Sequence, residues 1–149
     1  MKTAEKGFSL MELMIVMVIV AVLSGSAAFG WHTWQQQQHL RDSAQQLYLF
    51  LLRLRSDAHW RNTEHKLVWK AAEQGSITSE ADRNALWTFI PPWPDVYIRS
   101  MTGEPGFYGK RDTAWPGSID VTSAVGRWRV IISAQGRVRL CRPDREACQ

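Results

Sequence analysis

The sequence predicts an α+β chain in which one long N-terminal helix precedes, and in its second half packs on, a C-terminal antiparallel β domain. Three observations carry this reading. No proline occurs before Pro91. Apolar residues from Phe8 onward form first a nearly continuous run and then, as far as Ala58, a helically spaced series. After Asn62 the pattern changes to short alternating runs separated by turn residues. With 149 residues there is room for one modest domain beside the first segment, which excludes a large multi-domain enzyme. A content of 45% hydrophobic and 21% charged residues is that of a folded chain, and eight tryptophans supply bulky anchors for a small core. The formal net charge of +4 is only a weak pull toward acidic partners.

From Phe8 to Trp34 the only charged side chain is Glu12, leaving the 22 residues from Leu13 to Trp34 without a formal charge. At about 1.5 Å per residue this stretch crosses a hydrocarbon layer of about 30 Å. Lys2 and Lys6 precede it and the next formal charge is Arg41, so the positive-inside bias places the short N-terminus in the cytoplasm and the rest of the chain outside. A secretory signal peptide cut near Ser26-Ala27-Ala28 and a plain membrane anchor both fit the apolar run. Neither explains Glu12, because a carboxylate at the bilayer centre is opposed by about 2.5–3.5 kcal/mol.

Gly7-Phe8-Ser9-Leu10-Met11-Glu12-Leu13 resembles the class III signal of type IV pilins and type II secretion pseudopilins. The resemblance implies a leader over residues 1–7, cut between Gly7 and Phe8 by a prepilin peptidase that methylates the new N-terminus, with Glu12 as an assembly residue. The physics of such a pattern is register selection. The new α-ammonium of Phe8 is mostly cationic near neutral pH, and a neighbouring subunit's Glu12 pairs with it in a low-dielectric bundle. An unpaired Glu12 is penalised, so one stagger between helices is preferred over the others.

The helix is expected from about Phe8 to Arg61, with residues 8–34 as its transmembrane and assembly half and 35–62 as its amphipathic half. Leu40, Ala44, Leu47, Tyr48, Leu51, Leu54 and Ala58 fall at helical offsets. Ser24-Gly25-Ser26 and Gly30 are its weak points, each glycine being unfavourable by about 1 kcal/mol relative to alanine, and they make local melting conceivable. Leu47 to Leu52 is apolar on every side; either later strands wrap it completely, or part of it stays open to neighbouring subunits.

Residues 63–149 form the expected β domain. Strands are read at Lys66 to Lys70, Leu86 to Ile90, Asp95 to Arg99, Ser118 to Thr122, Arg127 to Ser133 and Arg137 to Cys141. Pro91-Pro92-Trp93-Pro94 and Trp115-Pro116-Gly117 read as turns, and Ala71 to Asn84 as a surface loop. The last two strands alternate arginine with apolar residues around the turn Ala134-Gln135-Gly136. Cys141 and Cys148 lie in the part of the chain expected outside the cytoplasm, so they should form a disulfide closing the C-terminal tail, which contributes about 2–3 kcal/mol.

Gly126-Arg127-Trp128 and Gly136-Arg137-Val138-Arg139-Leu140-Cys141, with Thr113-Ala114-Trp115-Pro116-Gly117 and Trp93-Pro94 upstream, are similar to the minor pilins and pseudopilins of the GspH and FimT group, including prepilin peptidase-dependent protein A. The resemblance implies a low-abundance subunit that primes or caps a type IV pilus or pseudopilus, with other minor and major pilins as partners. It implies a single pass of the inner membrane, a periplasmic C-terminal domain, and then a place in the filament. Some FimT-like subunits bind DNA through a Gly-Arg-x-Arg element, and Arg137 and Arg139 followed by Arg142 match its form. The alternative is a solvated strand face that protects a sheet edge. There is no Walker A loop, GxSxG or HExxH, and His32, His39, His59 and His65 lack metal-ligand spacing. No enzyme activity, cofactor or metal is therefore expected.

Overall fold

The computed structural model describes residues 7–81, 86–111 and 113–148. All of the expected leader except Gly7, and positions 82–84 of the expected surface loop, lie outside the described residues. Among the described residues one helix, α1 (Leu10–Arg61), is followed by seven strands: β1 (His65–Lys70), β2 (Ser76–Ser79), β3 (Thr88–Phe89), β4 (Tyr97–Phe107), β5 (Ala114–Ser123), β6 (Gly126–Ile132) and β7 (Val138–Cys141). The chain divides into two compact units, Met1–Gln35 and Gln36–Gln149.

The helix stays unbroken through Gly25 and Gly30, without the interruption that its glycines made conceivable. Ser24 and Ser26 donate their hydroxyls back to the carbonyls of Val20 and of Val22 and Leu23, which gives these polar groups partners inside the helix. Its C-terminus is stopped by Asn62, which adopts φ 51°. The Thr63 N–H then donates to the Ala58 carbonyl at 3.2 Å, the bond that closes a helix on a left-handed residue.

Within the second unit, Leu40, Leu47, Leu51, Leu54 and Ala58 are buried with Leu67, Ile77, Ile119, Val121, Val130 and Ile132 of the strands, so the apolar stripe of α1 and one face of the sheet make a single core. Leu47 and Leu51 are fully enclosed, whereas Leu49 remains 48% exposed. The strands therefore wrap the all-apolar stretch on one side only.

All seven strands belong to one antiparallel sheet in the order β3-β2-β1-β4-β5-β6-β7. Three sequence expectations are corrected here. Ser76–Ser79, expected in a loop, is a strand paired with β1, and Ile77 and Ser79 are its buried residues. The strand expected at Leu86 to Ile90 is only Thr88–Phe89. Trp115-Pro116-Gly117 is not a turn: it lies in β5, opposite a β4 that continues to Phe107. The register shifts between Gly103 and Gly106, so that Glu104 and Pro105 lie opposite Pro116, and proline is tolerated because the bulge leaves it no ladder bond to make. Gly106 has to be glycine, since a Cβ there would lie 2.6 Å from the His65 carbonyl oxygen where β1 crosses β4.

Candidate functional site

Gly7, Phe8 and Glu12 lie at the start of α1. The Glu12 N–H donates to Ser9 Oγ at 3.2 Å and the Leu13 N–H to the Ser9 carbonyl at 3.2 Å, which makes Ser9 the N-cap and Glu12 the third helical residue. Ser-x-x-Glu ahead of an apolar run is the spacing of a capping box, a signal in the sequence that the pilin resemblance eclipsed. Glu12 also sits where the helix dipole favours negative charge. Every residue from 7 to 35 is exposed, including Phe8, Leu10, Met14, Ile15, Ile19 and Leu23. A window of mean hydropathy 2.4 makes α1 long and apolar enough to cross a membrane. At the far end of the run Trp31 and Trp34 lie 5.2 Å apart, an aromatic pair of the kind enriched at the lipid–water boundary.

The C-terminal arginines do not form one group. Arg139 lies opposite Ile131 in the β6–β7 register and shares a face with Arg137, Arg129 and Cys141. Arg142 lies instead over the Trp128 ring, 5.2 Å from its centroid, on the face where Trp128 packs against the core. Its backbone N–H is held by Glu146. Arg129 is paired with Asp120 at 2.6 and 3.0 Å, and this bonding raises the guanidinium pKa further above its ordinary value. Arg137 and Arg139 are exposed, and neither makes an ion pair among the described residues. Cys141 and Cys148 form a disulfide with Cα atoms 5.9 Å apart, and the tail it closes places Asp144 on the backbone N–H of Arg127 at 3.1 Å.

Residues 2–28 match the prokaryotic N-terminal methylation motif. The structure is similar to the minor pseudopilin EpsH from the Type 2 Secretion System of Vibrio cholerae, with a TM-score of 0.54 and 16% identity over 70% of this chain and 98% of that one. The chain has a pseudopilin fold. No curated protein matches it.

Two polar clusters tie the pseudopilin fold together. His65, buried in β1, lies 2.9 Å through Nε2 from Asp57 of α1 and 2.8 Å through Nδ1 from Ser79 of β2. A serine, a histidine and an aspartate in a chain suggest nucleophilic catalysis, but Ser79 is only 1% exposed and its hydroxyl has no space for a substrate. The row is a strut that fastens the end of α1 to β1 and β2. At the other end of this unit, His39 stacks on Trp93 at 3.8 Å and lies 3.1 Å from Asp95, while the Trp93 indole N–H donates to Asp42 at 2.9 Å. The second cluster was invisible in the sequence because His39 and Asp95 lie 56 positions apart, whereas His65 stands 8 positions after Asp57 at the helix end. Among the described residues no group of three or more His, Cys, Asp or Glu side chains is placed to hold a metal.

Proposed function

We propose that this chain is a minor pilin or pseudopilin, cut between Gly7 and Phe8 by a prepilin peptidase and methylated on the new Phe8 nitrogen. The apolar half of α1 holds it in the inner membrane with the β domain in the periplasm. It then enters a type IV pilus or a secretion pseudopilus, where it primes or caps assembly. The observation that carries this reading is the capped first half of α1, in which residues 10–34 are exposed and apolar on every side and the single charge is Glu12 in the first turn.

Lipid satisfies the apolar surface but has no use for the carboxylate. A capping box accepts glutamine as well as glutamate, so capping alone does not require the charge. A cation supplied by a neighbour does, and the Phe8 α-ammonium of another subunit is one. Gly7 points the same way. A Cβ there would meet nothing within 4 Å among the described residues, so none of their packing calls for glycine. Recognition by a peptidase supplies the demand. The methylation motif supports the processing step, and the fold shared with a minor pseudopilin supports the filament role. DNA uptake, the alternative implied by the Gly-Arg-x-Arg resemblance, loses Arg142 to the opposite face and is not part of this reading.

The test is the N-terminal residue and intact mass of the membrane-derived protein, with and without a prepilin peptidase expressed beside it. A chain starting at methylated Phe8 only when the peptidase is present is the expected result. A start at Phe29, or an intact Met1 indifferent to the peptidase, would overturn the proposal.

A further inference from the structure

The outer face of β4–β7 carries a cleft of about 580 Å³, within the range of about 300–1,000 Å³ typical of ligand-binding recesses. It exists because β4 bulges after Gly103 and because Gly103 and Gly117, which face each other across the two strands, place no side chain over its floor. Ile131 supplies the apolar part of that floor, and Arg129, Arg137 and Arg139 line it. Asp120 neutralises Arg129, whereas Arg137 and Arg139 have no carboxylate partner among the described residues. The cleft thus combines an apolar floor with two positive charges, unpaired among the described residues, beside β7, the terminal strand of the sheet.

We propose that this cleft binds an extended acidic segment of a partner protein, with its carboxylates on Arg137 and Arg139 and an apolar side chain over Ile131. Residues two apart on a strand are separated by about 6.8 Å on one face, so the two arginines match carboxylates two residues apart on another extended chain. Bonds between guanidinium and carboxylate are of the strong, charge-assisted kind. Nucleic acid fits less well. Tight duplex binding draws on roughly 6–10 phosphate contacts, and two arginines give a salt slope of only about −1.8. A sugar-phosphate backbone also gains nothing from Ile131. The proposal does not depend on the filament reading and survives if the Phe8 start is not found.

The experiment uses the full chain in detergent micelles and fluorescence anisotropy of a labelled octapeptide of alternating glutamate and valine. Its glutamine counterpart and a short DNA duplex serve as competitors. Binding of the glutamate peptide is expected to be at least about tenfold tighter than that of the glutamine peptide, and to weaken about tenfold in Arg137→Ala/Arg139→Ala. Arg99→Ala/Arg145→Ala removes the same charge at residues that do not line the cleft and is expected to leave affinity within about twofold, since exposed charges outside direct contact contribute little. All four arginines are exposed, and an unchanged melting temperature establishes that the variants fold. Equal affinity for the two peptides, equal losses in both double variants, or displacement by the duplex at lower concentration than by free glutamate peptide would each overturn the proposal.

Discussion

The two parts of α1 differ both in how apolar they are and in how their apolar residues are arranged. From residue 7 to residue 35 they cover every side of the helix and none is buried. Beyond Gln36 they narrow to a stripe of Leu40, Ala44, Leu47, Leu51, Leu54 and Ala58, and all of these are buried under the sheet. A stripe identifies a partner within the same chain, because only one face needs covering. An all-round apolar surface identifies a partner that surrounds it, which for a helix is lipid or a bundle of other helices. Leu49, 48% exposed beside the buried Leu47 and Leu51, carries a little of the first character into the second part.

Substitutions in the two parts should therefore fail in different assays. The largest expected effect is at Glu12. Glu12→Ala should abolish co-assembly with other subunits while membrane insertion stays intact, as read by co-purification and alkaline extraction of membranes, and unaffected co-assembly would remove the carboxylate from the mechanism. Next is Leu51→Ala, which opens a cavity in a closed core and should lower the stability of the β domain by about 2–5 kcal/mol in urea titration. Val18→Ala in the exposed part should leave the same titration unchanged, and a loss there would break the division. Reduction of the Cys141–Cys148 bridge should cost about 2.5 kcal/mol by the loop-entropy relation, seen as a lower melting temperature in reductant. Ser9→Ala should weaken the start of the helix by about 1 kcal/mol, visible as faster amide exchange at Glu12.

The smallest effect expected is a pH response from the Lys66–Glu104 pair. The hydrogen bond from Glu104 raises the Lys66 ammonium above its ordinary value, which is about 10.4 for a free lysine. A raised folded-state pKa means that the contribution is complete below the ordinary value and is lost only as pH rises through the folded one. This pair should therefore add no slope between neutrality and mildly alkaline pH in a pH series of thermal melts. Comparing Lys66→Met with the parent chain isolates it.

The helix, its stripe and the arginine hairpin were legible because their signals are local: periodicity, the absence of proline, and alternation around Ala134-Gln135-Gly136. The disulfide was legible because two cysteines allow one intramolecular pairing. β2 was not, because Ser76–Ser79 offers one apolar residue and depends on pairing with β1 for its shape. The length of β4 and β5 was hidden for a different reason. Pro105, Pro116 and Gly117 are turn residues by local preference, and only a bulge formed jointly by two strands lets them remain in a sheet. The cleft inherits that illegibility, since it is made by the same bulge. The separation of Arg142 from Arg137 and Arg139 follows from a stacking partner, Trp128, that lies fourteen positions upstream.

Ser9, one residue beyond Phe8, already supplies the oxygen that ends the helix. Both bonds that Ser9 accepts, from the N–H groups of Glu12 and Leu13, lie wholly within the chain from Phe8 onward. Under the proposed processing, the segment would leave its leader with the first turn already capped, and its passage from bilayer to filament would be a partition between two oily phases. The free-energy difference between the two destinations would then fall on side chains alone, with Glu12 the one among them that lipid cannot satisfy.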